Sequence, residues 1–413
     1  MNICRFSAFF WGIFYMHACA VWAQQRQVGQ ELIGQAEDSR PVVTAVPFLT
    51  ITPDARAAGM GEAGVATSPD ANATFWNPSK LAFVEGRIGV AASYTPWLQK
   101  IVQDMWIFYG SGYYRLNNQQ TLGIGFRYFD LGEMQFIDAN KNITAPPAFP
   151  REYAFDASYA MKLSKKFSMG VSARYIYSNL TGGISVPGAD LRPGQSAAAD
   201  ISAYWTNPDL SLGGRPTTLS LGGSISNIGA KISYSNAAQQ DFLPTNLRLG
   251  TALTTELDPF NKITFAFDIN KLLVPTPPIY GIDTATGKRF ILKGKDPNRS
   301  LLSGMFGSFT DAPNGFKEEM REFIWTAAGE YWYNNLFALR GGFYHESRYK
   351  GNRQYFTLGL GLRYSKFGID VAYLIATQRQ HPLEDTLRFT LLFKLDSKEA
   401  QDIESDKTSE DAF

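Results

Sequence analysis

Apolar and polar side chains alternate with a period of two along most of this chain. Between residues 120 and 130, for example, Leu122, Ile124 and Phe126 alternate with small or charged residues. The same pattern recurs at 166–178, 353–364 and 386–395. Because successive side chains of a β strand point to opposite faces, these stretches predict strands with one apolar face and one small or polar face.

About fourteen segments of this kind occur in the sequence. Each has roughly 9 to 13 residues, about the length that a tilted strand needs to cross a bilayer. The segments lie near residues 87–95, 103–115, 120–130, 152–163, 166–178, 197–206, 217–228, 243–255, 261–273, 322–333, 336–346, 353–364, 367–377 and 386–395.

Short and long links alternate between these segments. The short links are 116–119, 164–165, 256–260, 334–335 and 365–366, with 207–216 slightly longer. The long links are 131–151, 179–196, 229–242 and above all 274–321. Short periplasmic turns and long outer loops are typical of outer-membrane barrels. The sequence therefore predicts an all-β fold, a transmembrane antiparallel β-barrel of about fourteen strands integral to the bacterial outer membrane. An even strand number would place both chain ends in the periplasm.

Composition excludes other classes. Charged residues make up 19% and aromatic residues 14% of the chain, and the formal net charge is +1. Without a basic footprint, no nucleic-acid partner is expected. Beyond the first residues, no apolar run of about eighteen residues occurs, so no membrane-spanning helix is expected.

The first residues have the features of a secretory signal peptide. Arg5 precedes a largely apolar run, and a small-x-small site ends at Ala23. Cys4 and Cys19 both lie in this segment, so no disulfide is expected in the exported chain. A lipidated Cys19 is the alternative, although the usual preceding leucine is missing.

Charged residues recur on the small or polar face of the predicted strands. On the lipid side, an Arg at mid-depth would cost about 2 to 4 kcal/mol, so these charges should face the lumen, where opposite charges can pair. We expect them to hold strands and plug together, with a ligand or transport role as the alternative. These lumen charges are Arg127, Asp156, Arg174, Asp200, Arg248, Asp268, Glu330, Arg340, Arg363, Asp370 and Arg388.

Two copies of a helix-start pattern precede the first strand. Thr52-Pro53-Asp54 and Ser68-Pro69-Asp70 each combine a cap, a proline and an acid. The following helices must be short, and small residues would let the segment fit as a hatch, or plug, inside the barrel. Its key residues are Pro53, Asp54, Arg56, Gly59, Gly61, Gly64, Asp70, Trp76, Asn77 and Pro78.

The three hatch glycines match the G-x-G-x-x-G pattern of dinucleotide sites. No βαβ alternation follows them, so a structural role is favoured and no cofactor is expected. The predicted division is a signal peptide (1–23), a polar lead-in (24–47), the hatch (48–86), the barrel (87–395) and an acidic periplasmic tail (396–413).

The hatch resembles the N-terminal region of the FadL-like outer-membrane proteins, which share an alanine- and glycine-rich run ending in Asn-Pro. The run Phe48 to Arg56, followed by Trp76-Asn77-Pro78-Ser79-Lys80-Leu81, is similar to the PorV (LptO) family of the type IX secretion system of Bacteroidetes. This resemblance implies a non-enzymatic carrier at the cell surface. It would bind the C-terminal signal domains of cargo proteins as they leave the translocon and deliver them to the surface sortase and attachment complex.

Such a carrier would need an outer docking surface. The long loop, residues 274–321, offers apolar residues for it, although the same residues could fold over their own barrel mouth. The candidates are Phe290, Ile291, Leu292, Leu301, Leu302, Met305, Phe306 and Phe309.

Two other functions are open. A FadL-type transporter of hydrophobic small molecules would have an apolar lumen pocket and a kinked strand beside the hatch. An exported enzyme finds no support, because His345 and His381 are isolated, with no metal-ligand spacing and no Gly-x-Ser-x-Gly turn. No catalytic, metal or cofactor residue is therefore assigned.

Overall fold

The computed structural model describes residues 39–136, 143, 146–183, 192–235, 240–283, 286–378 and 381–395. The predicted signal peptide and acidic tail lie outside these residues. The strands are β1 (Ile88–Pro96), β2 (Trp106–Arg115), β3 (Gln120–Asp130), β4 (Arg151–Lys162), β5 (Phe167–Asn179), β6 (Gly194–Leu212), β7 (Arg215–Gly229), β8 (Asn246–Glu256), β9 (Asn261–Leu272), β10 (Ile279–Ile282), β11 (Arg289–Lys293), β12 (Ile324–Tyr333), β13 (Phe337–His345), β14 (Gln354–Tyr364), β15 (Phe367–Ala376) and β16 (Leu387–Leu395).

Fourteen of these strands form a closed antiparallel barrel, which confirms the predicted fold. Each pairs with its neighbour in sequence, β9 pairs with β12, and β1 closes the barrel against β16. The predicted alternation is present along β14, where Leu358 and Leu360 are exposed on the outer face and Gly359 faces inward against the hatch. Among the described residues, no helix is both long and apolar enough to cross a membrane.

The two ends of the barrel differ. At one, the turn end, adjacent strands are joined by tight turns. Asn334 and Asn335 form such a turn with φ of 51° and 50°, the left-handed backbone that asparagine tolerates and that two-residue hairpins require. At the other, the loop end, the connections are long. The predicted link 207–216 is largely strand, because β6 and β7 continue beyond the other strands to Leu212 and Arg215.

The hatch runs through the lumen from the loop end to the turn end. It contains two helices, Ala55–Ala58 and Ala73–Trp76, and two 3-10 turns, Pro47–Thr50 and Pro78–Phe83. At the loop end, Phe48 packs in one cluster with Trp97 and Leu383. At the turn end, the Phe83 ring lies 5.6 Å from Tyr204. The hatch therefore spans the barrel before the chain enters β1.

The described part of the lead-in lies at the loop end, not at the turn end. The backbone N–H of Arg40 donates to Tyr349 O at 2.9 Å, and Ala45 N–H donates to Phe242 O at 3.0 Å. The expectation that both chain ends lie in the periplasm concerns residues 1–38 and 396–413, which are outside the described residues. The described part of the lead-in approaches the hatch from the loop end. An even number of strands determines the end of the barrel at which β1 begins. It does not determine the end from which the hatch enters the lumen.

The long loop carries structure that the sequence pattern did not indicate. It contains the two-stranded ribbon β10–β11 and two short helices, Leu301–Gly307 and Phe316–Met320. These elements stand over the loop end of the barrel and are separate from its wall.

Candidate functional site: the hatch and the outer loop

The first hatch helix begins at a cap that also fixes the second helix. The Asp54 carboxylate accepts from Ala57 N–H at 2.9 Å and from the Trp76 indole N–H at 2.7 Å. The backbone N–H of Ala55 donates to Thr390 Oγ1 of β16 at 2.8 Å. The Asp54 carboxylate therefore caps a free backbone N–H of the first helix and also connects that helix to the second one through Trp76.

Arg56 connects both helix-start patterns to the barrel wall. Its guanidinium donates to Glu330 of β12 at 2.8 and 3.0 Å, to Asp70 Oδ2 at 3.0 Å and to Ser68 Oγ at 2.6 Å. Glu330 in turn accepts from Arg340 at 2.7 Å. Such a bidentate arginine–carboxylate pair fixes the relative orientation of the two side chains and also balances their charges.

The charge chain continues along the wall. Arg340 donates to Asp370 at 2.7 Å, and Asp370 accepts from Arg363 at 2.7 Å. Arg363 is the most exposed of these groups, with 22% of its side chain accessible near the turn end. An ionic chain thus extends from the hatch across four neighbouring strands, β12 to β15.

The hatch glycines allow backbone to lie directly against backbone. A Cβ at Gly59 would stand 2.8 Å from Gly359 Cα, and a Cβ at Gly61, where φ is +59°, would stand 2.7 Å from Phe343 N. Gly64 lies against the Trp76 ring, at 2.3 Å for the same test atom. The glycine triad therefore lets the hatch backbone pack directly against the wall backbone and the Trp76 ring.

The loop after Gly64 is held from both sides. Asp268 of β9 accepts from the N–H groups of Gly64 and Val65 at 2.8 and 3.0 Å. Lys80 Nζ donates to Gly64 O at 2.7 Å. A small cavity beside these residues, about large enough for one water molecule, is lined by Asp54, Arg56, Ala57, Met60, Ala63, Gly64, Thr67, Asp70, Trp76 and Lys80.

Asn77 joins the hatch to β6, three strands from β9 in the barrel. Its amide nitrogen donates to Val65 O and to Ala203 O of β6, both at 3.1 Å, while its Oδ1 accepts from Ser79 N–H at 3.2 Å. Pro78 then starts the 3-10 turn, where no donor is needed.

Aromatic hatch side chains pack between wall arginines. The Phe75 ring lies 4.6 Å from Arg127 and 4.7 Å from Arg248, one guanidinium of β3 and one of β8. The same arginines donate to the backbone carbonyls of Phe48 and Phe75, at 3.2 and 3.3 Å. These contacts combine cation–π attraction with hydrogen bonds to the ends of hatch segments.

The remaining lumen charges tie strands to one another. Arg174 of β5 binds Asp156 of β4 and, at 3.0 Å, Asp200 of β6. Asp200 also accepts from Asn227 N–H at 2.7 Å, beside the point where the register of β6 and β7 shifts. Arg388 of β16 is the exception, since it lies 3.5 Å from Glu62 of the hatch.

The structure brings the two predicted groups of residues together. The predicted hatch residues lie inside the barrel, all buried except the partly exposed Asp70, and the lumen charges are buried around them except Arg363. Sequence reasoning missed Lys80, Ser68, Thr390 and Glu62 as contributors. Lys80 is 2% exposed, and its place beside the apolar residues Leu81, Ala82 and Phe83 is the sequence signal that could have indicated it.

The long loop exposes most of its predicted apolar residues at the loop end. Leu302 is 62% and Phe306 74% exposed, and Phe309 is also exposed. Phe290, Ile291 and Leu292 of the ribbon are exposed too, whereas Leu301 is half-buried. Met305 differs from the prediction: it is 5% exposed, because the inner face of its short helix turns toward the barrel. Sequence reasoning missed Phe316, the most exposed apolar residue of the loop helices at 76%.

A buried ionic cluster holds this loop to the barrel. Glu318 accepts from Lys350 at 2.7 Å and from Arg40 at 2.9 Å, and Glu322 binds Lys271 of β9 and Lys350. Burial alone would raise the pKa of Glu318, but the hydrogen bonds from Lys350 and Arg40 outweigh it and hold the pKa below its ordinary value.

Comparison with known protein families decides the assignment. A family model described as type IX secretion system protein PorV matches residues 34–279, more than half of the chain. The chain belongs to the PorV family. With the closed fourteen-strand barrel, PorV family membership makes it an integral outer-membrane protein with a role in type IX secretion.

Solved structures give only a distant match to this PorV family member. The toluene transporter TbuX of Ralstonia pickettii is 13% identical, with 82% of this chain and 97% of that chain covered and a TM-score of 0.45. The toluene transporter TodX of Pseudomonas putida is 12% identical, with 81% and 95% covered and a TM-score of 0.46. A FadL homologue of Pseudomonas aeruginosa is 12% identical, with 86% and 99% covered and a TM-score of 0.41. At these values we infer no substrate. No curated protein matches the chain.

Proposed function

We propose that this protein is a non-enzymatic carrier at the outer membrane. It would bind C-terminal signal domains of cargo proteins leaving the type IX translocon and deliver them to the surface sortase and attachment complex. The observation that carries the proposal is a lumen filled by an ion-paired hatch beneath an apolar, firmly held outer loop.

The hatch contacts favour a lumen that stays closed. Arg56 and Asp268 each make two hydrogen bonds between the hatch and the adjacent strands β12 and β9, and Asn77 makes one to β6. Breaking a buried ion pair by losing one partner costs about 3 to 5 kcal/mol, so displacing the hatch would break the Arg56–Glu330 pair together with these hydrogen bonds. Cargo would therefore be handled at the outer surface and not through the pore.

The long loop supplies a surface suited to binding a protein. Leu302 and Phe306 project from the short helix Leu301–Gly307, and the ionic cluster around Glu318 fixes the next helix of the same loop, Phe316–Met320. A pre-ordered apolar surface loses little conformational entropy on binding, which favours affinity. Exposed apolar groups of this size on a folded loop suit partner recognition.

The transporter alternative receives less support from the same contacts. A carrier of hydrophobic small molecules needs an apolar pocket, yet the cavity beside the hatch is lined by Asp54, Arg56, Asp70 and Lys80 among others. The register shift that interrupts β6 and β7 lies at the buried Asp200–Asn227 contact, also a polar environment.

Co-purification in mild detergent tests the carrier proposal. The double variant Leu302→Asp/Phe306→Asp should retain at least about tenfold less of a tagged cargo signal domain, since buried apolar anchors each contribute about 1 to 2 kcal/mol. Ile101→Asp is the matched control, because Ile101 is 63% exposed in a different loop at the same end. Equal cargo recovery from both variants would refute the assignment of this surface.

A further inference from the structure

The ribbon β10–β11 has a free edge at the loop end of the barrel. β10 pairs with β11 through Tyr280↔Ile291, Gly281↔Phe290 and Ile282↔Arg289. Within the described part of the chain, neither strand pairs with any other. The outer side of each strand therefore presents backbone donors and acceptors that the ribbon itself does not use.

The hydrogen-bond pattern identifies which groups point outward on β11. Next to the turn, Asp283 N–H donates to Lys288 O at 2.9 Å, so these two residues form a hydrogen-bonded pair. Antiparallel pairs alternate between bonded and non-bonded, and the register is regular from Asp283 to Tyr280, shifting only between Tyr280 and Ile279; Gly281↔Phe290 is therefore bonded and Tyr280↔Ile291 non-bonded. The N–H and C=O of Ile291 therefore face away from β10.

This edge is apolar over three consecutive residues. Phe290, Ile291 and Leu292 are 48%, 37% and 58% exposed, and the other two residues of β11 are exposed as well. An exposed apolar edge strand is a template for pairing with another strand. This exposed apolar edge lies on a loop that buried ion pairs hold in place, and that combination points to a binding role.

Charge around the edge selects the partner. Lys288, Arg289, Lys293 and Lys295 lie in or beside β11, against Asp283 and Asp296, so positive charge predominates. A second copy of the ribbon would bring like charges together and be repelled. A strand that carries carboxylates between apolar residues would be attracted.

We propose that the free edge of β11 binds an acidic, apolar β strand of an exported protein, which adds to the ribbon as a third strand. This inference deepens the carrier function proposed above and rests on it. Backbone pairing at Ile291 would give affinity independent of exact sequence, and the flanking cations would select acidic strands. One edge could then serve many cargo proteins.

Defined peptides test the edge on the full-length protein in mild detergent. Fluorescence anisotropy would compare a labelled peptide alternating valine and glutamate with one alternating valine and lysine. We expect the acidic peptide to bind and the basic peptide to bind at least about tenfold more weakly, with added salt narrowing the difference.

Ile291→Pro removes the outward N–H and leaves the bonds inside the ribbon intact, because proline is tolerated at strand edges. It should weaken acidic-peptide binding at least about tenfold. Ile291→Val, which keeps the N–H and the branched side chain, is the matched control and should bind as the parent protein does.

Three results would overturn the proposal: equal binding of both peptides, full binding by Ile291→Pro, or a concentration-dependent dimer that Ile291→Pro abolishes. The carrier function is tested by a separate experiment, cargo recovery with the Leu302→Asp/Phe306→Asp variant. Its substitutions lie outside the ribbon, so the two proposals can be refuted independently.

Discussion

The guanidinium of Arg56 meets both carboxylate oxygens of Glu330, at 2.8 and 3.0 Å, although 274 residues separate them in the chain. This pair fixes the first hatch helix to β12. Because both side chains are nearly inaccessible to solvent, losing either one would remove a buried ion pair.

Glu330→Ala should loosen the hatch. Arg56 and Arg340 would both lose a buried partner, so we expect a loss of stability of about 3 to 5 kcal/mol, measured as a lower unfolding temperature of the purified barrel. Asp209→Ala is the control, because the Lys166–Asp209 pair is largely exposed and should contribute at most about 1 kcal/mol. Similar decreases in unfolding temperature for Glu330→Ala and Asp209→Ala would contradict a stabilising role of the buried Arg56–Glu330 pair.

Asn77→Ala with Pro78→Ala should let small ions leak through an assembled barrel. The variant loses the amide contacts to Val65 O and Ala203 O that hold the hatch against β6. Conductance in planar bilayers is the measurement, and Asn117→Ala, in an exposed turn, is the control. Unchanged conductance would count against a sealing role.

Gly342→Ala should block correct assembly while Gly341→Ala is tolerated. A Cβ at Gly342 would stand 2.1 Å from Gly61 N, whereas the nearest atom to a Cβ at Gly341 is 4.0 Å away. Two neighbouring residues thus form a matched pair, since one faces the hatch and the other faces outward. The yield of folded, heat-modifiable barrel in outer membranes would measure the difference, and equal yields would argue against tight hatch packing.

Val43→Cys should react with a membrane-impermeant maleimide on intact cells. Val43 is 73% exposed and lies in the segment between Arg40 and Ala45 that is hydrogen-bonded at the loop end. Asn117→Cys, in a tight turn at the opposite end, should react only after the outer membrane is opened. The reverse labelling pattern would invert the orientation assigned here.

The outer loop should loosen in acid. The pKa of Glu318 is held below its ordinary value of 4.5, so its ion pairs contribute stability that is present above that pH and lost as pH falls through the lower folded value. We expect proteolysis at exposed Lys317 to rise below about pH 4.5. Glu318→Gln should be cleaved faster at neutral pH and should lose this part of the pH dependence. Acid cleavage as steep in the variant as in the parent would point to another group.

The barrel could be predicted from sequence because lipid imposes a simple rule. An outer face in contact with hydrocarbon must be apolar at every second residue, and the predicted segment 353–364 accordingly differs from β14 by one residue at its start. Charges such as Arg340 and Asp370 were placed inside by the same rule. Their partners could not be predicted, because alternation gives the face of a side chain and not the strand or hatch residue opposite it.

The outer loop could not be predicted in the same way. Its strands are only four and five residues long, too short for alternation to stand out, and all of β11 is exposed. Met305 was grouped with its exposed neighbours because composition alone does not say which face of a seven-residue helix turns inward. The direction of the hatch likewise depends on tertiary contacts such as Arg40 with Glu318.

Thr390 of β16 lies where the barrel closes: its hydroxyl group is 2.8 Å from Ser93 Oγ of β1 and also accepts from the hatch at Ala55. A segment that is continuous with β1 at one rim and fastened at the opposite rim cannot easily enter a finished cylinder. The strands must therefore assemble around the hatch during insertion into the membrane. Pairing of β16 with β1 would be the step that encloses the hatch.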